Sequence, residues 1–135
     1  MTPNKALIFI SLIVSLGAQA QNSLTQTRTE ALFAKGNEMV DHSNYVAARE
    51  MFSEFLEAAP KDDARRIEAE YYVAFCALNL QHQDGEKLID DFIDNNPASP
   101  RAATAYYDLA TFFYNEKSYT KAIQYFKKVD FPALT

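Results

Sequence analysis

The sequence predicts an all-α solenoid of three stacked helix–turn–helix units. Two observations carry this expectation. A Tyr-x-x-Ala-x-x-x-Phe pattern at Tyr45, Ala48 and Phe52 returns at Tyr119, Ala122 and Phe126, with His82, Gly85 and Ile89 halfway between them. The same 37-residue offset links Phe55, Phe92 and Val129, and again Met39, Cys76 and Phe113. Second, apolar residues fall at helical spacing throughout, and no segment holds a sustained period-two alternation, so no strand is expected. Repeats of this length are units that bury their apolar faces only by stacking on one another.

Taken in order, Met1–Ala20 reads as a secretory leader. Lys5 gives a positive start, Ala6–Leu16 an apolar stretch, and Ala18-Gln19-Ala20 a small-x-small cleavage site. The apolar run is short of the ~20 residues that span a bilayer, so cleavage before Gln21 is expected rather than anchoring. Gln at 21 leaves no cysteine there to carry a lipid. Residues 21–28, rich in Thr and Gln, are expected as a flexible lead-in.

The repeat units follow, at about 29–65, 66–102 and 103–135. A first helix starts at Thr29, with Leu32, Phe33, Met39 and Val40 as its apolar positions. Asp41-His42-Ser43-Asn44 supplies turn formers, and a second helix covers Tyr45–Ala58. Pro60-Lys61-Asp62-Asp63 stops it, since Pro cannot continue a helix and Asp can cap the next. The third helix is expected over Ala64–Leu80 and the fourth over Gly85–Asn95. Ser99 followed by Pro100 reads as an N-cap with Pro in the first helical position, opening a fifth helix to Glu116. The sixth covers Tyr119–Val129. Ala48, Gly85 and Ala122 mark where the two helices of each unit cross most closely; Gly36 and Ala110 share a slot on the first helices.

Several function classes are excluded. Net charge is −5 and nothing basic clusters, so nucleic acid and anionic membrane surfaces are poor partners. Of the three glycines, one lies in the leader, which leaves no Gly-rich phosphate cradle. His42 and His82 lack metal-ligand spacing, and His82 is expected as a packed ring in the Tyr45/Tyr119 slot. Asp90, Asp91 and Asp94 read as a solvated acidic face, and Cys76 as core filler. No serine has a nucleophile-elbow context. No catalytic residue, metal or cofactor is expected.

The repeating residues resemble the tetratricopeptide repeat family, whose helix–turn–helix unit of about 34 residues carries a Trp/Leu/Gly/Tyr…Ala…Phe…Pro pattern. The third unit matches best, through Tyr106, Leu109, Ala110 and Phe113, then Tyr119, Ala122, Ile123 and Phe126. The first gives Leu32, Gly36, Met39, Tyr45, Ala48, Phe52, Leu56 and Pro60, with Lys35 in place of the usual Leu. The middle unit is degenerate at Ala69, Val73, His82 and Gly85. The resemblance implies a right-handed superhelix and a non-catalytic scaffold that binds a protein or peptide in its concave groove. With the leader, it is similar to envelope proteins of Gram-negative bacteria, which implies a periplasmic location and a partner in the cell envelope.

Carried over residue by residue, the groove positions are Phe33, Asn37 and Val40; Ile67, Glu70, Ala74 and Ala77; and Thr104, Tyr107, Thr111 and Tyr114. One family variant clamps a terminal carboxylate with Lys and Asn. Asn37 matches one such slot, but Phe33, Val40, Thr104 and Asp108 stand in the others, so that ligand is not expected. Phe131-Pro132-Ala133-Leu134-Thr135 is no polar capping helix, and the bare end of the sixth helix implies further repeats or self-association. The alternative function is therefore the structural N-terminal segment of a longer envelope repeat protein, spacing domains rather than binding a ligand.

Overall fold

The computed structural model describes the backbone of residues 4–134 and the side chains of residues 23–132 and 134. The expected cleavage site, Ala18-Gln19-Ala20, lies outside the described side chains. Six helices follow one another: α1 (Asn4–Asp41), α2 (Tyr45–Ala58), α3 (Arg66–Asn79), α4 (Gly85–Asn95), α5 (Pro100–Asn115) and α6 (Tyr119–Phe126), then a 3₁₀ turn at Phe131–Leu134. No strand occurs among the described residues.

Beyond shifts of one or two residues at the ends of α3 and α5, two boundaries differ from expectation. Residues 21–28 are not a flexible lead-in but part of α1. Their polar side chains bond along the helix: Gln26 Nε2 donates to Glu30 Oε1 at 3.0 Å, and Thr27 Oγ1 to the Ser23 carbonyl at 2.9 Å. No Gly or Pro interrupts the stretch. At the other end α6 stops at Phe126 rather than Val129. Pro132 lacks the N–H a longer helix would need and disfavours helical backbone at the residue before it.

The turns inside the three units are one device used three times. Ser43, Gln81 and Lys117 adopt left-handed backbone, with φ of 56°, 55° and 60°. In each, the following amide bonds back five residues: Asn44 to Met39 at 2.8 Å, His82 to Ala77 at 3.0 Å and Ser118 to Phe113 at 2.8 Å. The left-handed residue itself bonds back three, to Val40, Leu78 and Tyr114. This is the Schellman arrangement, which satisfies the last carbonyls of a helix. Asn44 caps α2 by accepting from the Ala47 amide, and Ser99 caps α5 by accepting from Arg101 with Pro100 beside it.

Each unit is an antiparallel hairpin, and α3 stacks on α2 as α5 stacks on α3 and α4. Two apolar clusters result. One gathers Ala48, Phe52, Phe55, Ala69 and Cys76; the other gathers Tyr71, Ile89, Phe92, Leu109, Phe113 and Ala122. Tyr72 and Phe75 of α3 touch both. The small residues sit where the crossings demand them. A Cβ on Gly85 would lie 2.8 Å from Leu78 Cα, and one on Gly36 2.8 Å from the Phe52 ring. Cys76 is fully buried, and burial pushes its thiol up to about 11, as suits core filler.

Candidate partner-binding groove

The groove positions carried over from the repeat pattern do not share one environment. Phe33 is half-buried, its ring 5.6 Å from that of Phe52 and 5.2 Å from that of Phe55, with the Arg65 guanidinium 5.7 Å above it. It is a packed side chain, not an open contact. Ala74 and Ala77 are buried, and Val40 packs against the first cluster. Asn37, Glu70, Thr104 and Thr111 are half-buried, while Ile67, Tyr107 and Tyr114 are exposed. The reason is stacking. α3 lies over the first hairpin and α5 over the α3/α4 hairpin, so Phe33 and Glu70 are half-buried where Tyr107 is exposed, and Val40 and Ala77 are covered where Tyr114 is exposed.

The bare face is a ladder of rings across α5 and α6. Tyr107 meets Phe126 edge to face at 5.9 Å, and Tyr114 meets Tyr119 in the same way at 5.6 Å. Ile123 lies at the middle of the α6 row and is 55% exposed. The first unit shows what such a face takes. There Phe33 meets Phe52 edge to face, and α3 covers them, stacking Tyr72 on Phe52 at 4.8 Å and setting Phe75 against Tyr45 at 5.7 Å. Phe52 and Phe126 thus occupy equivalent places, differing by the helix laid over the first.

On the inner side, α3 and α5 enclose a cavity of about 220 Å³ lined by Phe75, Tyr107, Asp108, Thr111, Phe112 and Glu116, among others. Tyr71 Oη donates to Asp108 Oδ2 at 2.7 Å. Burial pushes the Asp108 carboxyl up to about 6, against the opposing pull of the Tyr71 hydrogen bond and of Arg101. Burial likewise raises the Tyr71 hydroxyl far above its ordinary range, reinforced by the Asp108 charge. Arg101 is committed elsewhere: it pairs with Glu68, donates to Tyr72 Oη at 3.1 Å and stands 5.1 Å from the Tyr71 ring.

Polar contacts between units form along the stack. Arg49 pairs with Asp84 at 2.9 Å, Lys121 with Glu86 at 3.1 Å, and Gln81 donates to Glu116 at 3.3 Å. Two expectations are corrected here. His82 is not a packed ring but an exposed one bonded to Arg49, because α3 ends at Asn79 and lifts the turn out of the core. Asp90 is not fully solvated: it accepts from Tyr125 Oη at 3.2 Å, and burial raises its carboxyl above the usual range. Among the described residues, no group of three or more His, Cys, Asp or Glu is placed to hold a metal ion, and no helix is long and apolar enough to cross a membrane.

Tyr71 and Asp108 were not singled out together by sequence reasoning, yet the signal existed. They lie one period apart, so stacking makes them neighbours. Asp108 drew notice only as the wrong residue for a carboxylate clamp.

A family model described as Tetratricopeptide repeat matches residues 79–133. That segment holds the end of α3 and all of α4, α5 and α6; the Ser43 turn after α1 repeats its turns, and the Phe33–Phe52 contact repeats its Tyr107–Phe126 contact two periods earlier. No curated protein and no solved structure matches the chain. Tetratricopeptide repeats generally mediate protein–protein interaction or scaffolding, and the family is typically non-catalytic. The matched segment supports a tetratricopeptide repeat family, and the chain as described is an all-α stack of helical hairpins consistent with such a solenoid.

Proposed function

We propose that the protein is a non-catalytic scaffold of the periplasm that binds a protein or peptide partner in the cell envelope. The observation that carries the reading is the run of groups on α5 where Tyr107 and Tyr114 are exposed and Thr111 is half-buried, Tyr107 and Thr111 lining the cavity shared with α3. Tyrosines at a groove supply large contact area with little side-chain entropy to lose. The leader motif at Met1–Ala20 supports export, and Gln21 in place of cysteine supports a chain without a lipid anchor.

The test is a double substitution, Tyr107→Ala with Tyr114→Ala. Tyr107 is 42% and Tyr114 59% exposed and each gives up one edge-to-face ring contact, so the variant is expected to stay folded with a modest fall in melting temperature and to lose partner binding about tenfold or more, as for interface anchors. A matching collapse of stability would return both rings to a purely structural role. N-terminal sequencing of the exported protein is expected to begin at Gln21; recovery of Met1 in membranes would refute the location.

A second reading is favoured by the uncovered α5/α6 ring ladder. Its counterpart on α1/α2 is covered by a helix of the same chain, so the hairpins would then space domains in a longer repeat array, with another helix on Tyr119, Ile123 and Phe126. Protection of those three side chains in the natural full-length protein, with no peptide bound in the groove, would favour this second reading.

A further inference from the structure

The cavity between α3 and α5 has a sign. Asp108 and Glu116 are its charged lining groups, and no Lys or Arg lines it. Tyr71 holds one oxygen of Asp108 and, among the described residues, no other group bonds that carboxylate. Arg101 is tied to Glu68 and Tyr72. A half-buried carboxylate without a cation bonded to it gains a partner when a cation arrives. At about 220 Å³ the cavity is smaller than the roughly 300–1,000 Å³ usual for small-molecule sites. It suits one side chain. Tyr107 and Phe112 offer rings against which the aliphatic stem of a long basic residue can lie and a cation can rest.

We propose that this cavity is a specificity pocket for one basic side chain, Lys or Arg, of a peptide lying in the groove, with Asp108 as its anionic contact and Glu116 as the second carboxylate. The inference rests on the groove-binding reading above and sharpens it. It also states what the groove rejects: a carboxylate ligand at this position would meet two negative charges.

The experiment is selection of a phage-displayed library of random dodecamers on the purified protein, followed by fluorescence polarisation on the best synthetic peptide. The enriched sequences are expected to fix Lys or Arg at one position. Asp108→Asn is expected to weaken that peptide about tenfold or more, the loss of a charge-assisted contact. Replacing the peptide's basic residue by Gln should cost a similar factor, and the two changes together little more than either alone. Asn can still accept from Tyr71, so an unchanged or raised melting temperature verifies folding. Glu50→Gln, an exposed carboxylate without a bonded partner, removes the same unit of charge away from the cavity and should leave affinity unchanged. Enriched peptides with no fixed basic position, or equal losses in Asp108→Asn and Glu50→Gln, overturn the pocket and leave the groove reading standing. A selection that enriches no peptide overturns both.

Discussion

Gly85→Ala adds a single methyl group where α4 meets the backbone of α3. The new Cβ would sit 2.8 Å from Leu78 Cα, 2.9 Å from Leu78 N and 3.0 Å from Ala77 C. Carbon atoms pack best at roughly 3.5–4.0 Å, so something must move by about half an ångström or more. The obstacle is backbone on all three counts, and no side-chain rotation can relieve it. α3 and α4 must part, at a cost of about 1–3 kcal/mol for an overpacked site. The gain in helix propensity from Gly to Ala is at most about 1 kcal/mol, and it is smaller at the first residue of α4. A net loss of about 1–2 kcal/mol corresponds to a fall of about 5–10 °C in melting temperature for a domain of this size. The assay is thermal unfolding followed by circular dichroism. The paired control is Ala48→Gly, at the same slot one period earlier, where a methyl is already accommodated at 0% exposure. That change should also destabilise, by about 1 kcal/mol through helix propensity. The two substitutions run in opposite chemical directions and both should lower stability. A melting temperature for Gly85→Ala equal to or above that of the parent would refute the crossing argument.

Asp108→Asn should change how stability depends on pH. A carboxyl raised to about 6 in the folded chain stabilises the fold fully below its unfolded value, and that contribution is lost as pH rises from about 4 through about 6. Denaturant melts at pH 8 should therefore show Asp108→Asn more stable than the parent by about 2 kcal/mol, after allowance for water in the cavity, with the gap closing by pH 4; a pH-independent gap would remove the assignment. Gln81→Gly relieves a left-handed residue at φ 55° and should stabilise by about 1 kcal/mol in the same assay. A loss of stability would mean that the Gln81 bond to Glu116 outweighs the backbone term.

Period and punctuation made the stack legible before any coordinates. Residues one period apart became neighbours, and α2 and α4 run over the expected Tyr45–Ala58 and Gly85–Asn95. Other features were hidden for physical reasons. Ser43, Gln81 and Lys117 hold left-handed turns that glycine would have advertised. The Thr- and Gln-rich start of the described side chains looked like loop, because composition does not reveal side-chain bonds along a helix. The groove was read too broadly for the same kind of reason. Position in a repeat tells which face a residue occupies, but not whether the next hairpin lies on it, and that decides between Phe33, packed, and Tyr107, open. The Tyr71–Asp108 contact required one more step than spacing alone, namely that a neutral donor and a carboxylate in adjacent units could face each other.

The two ends of the stack are unlike. On α1 the residues one period before Tyr72 and Phe75 are Lys35 and Glu38, both exposed and paired with each other at 2.9 Å. On α5 and α6 the corresponding outer surface is aromatic. A second copy added head to tail would press a charged pair onto an aromatic and aliphatic face, at a desolvation cost that tyrosine hydroxyls and rings offset only in part. Growth into filaments, the hazard of any open heterologous contact, is thereby discouraged. The two outer faces of the stack therefore differ in chemistry, one carrying an exposed ion pair and the other exposed rings.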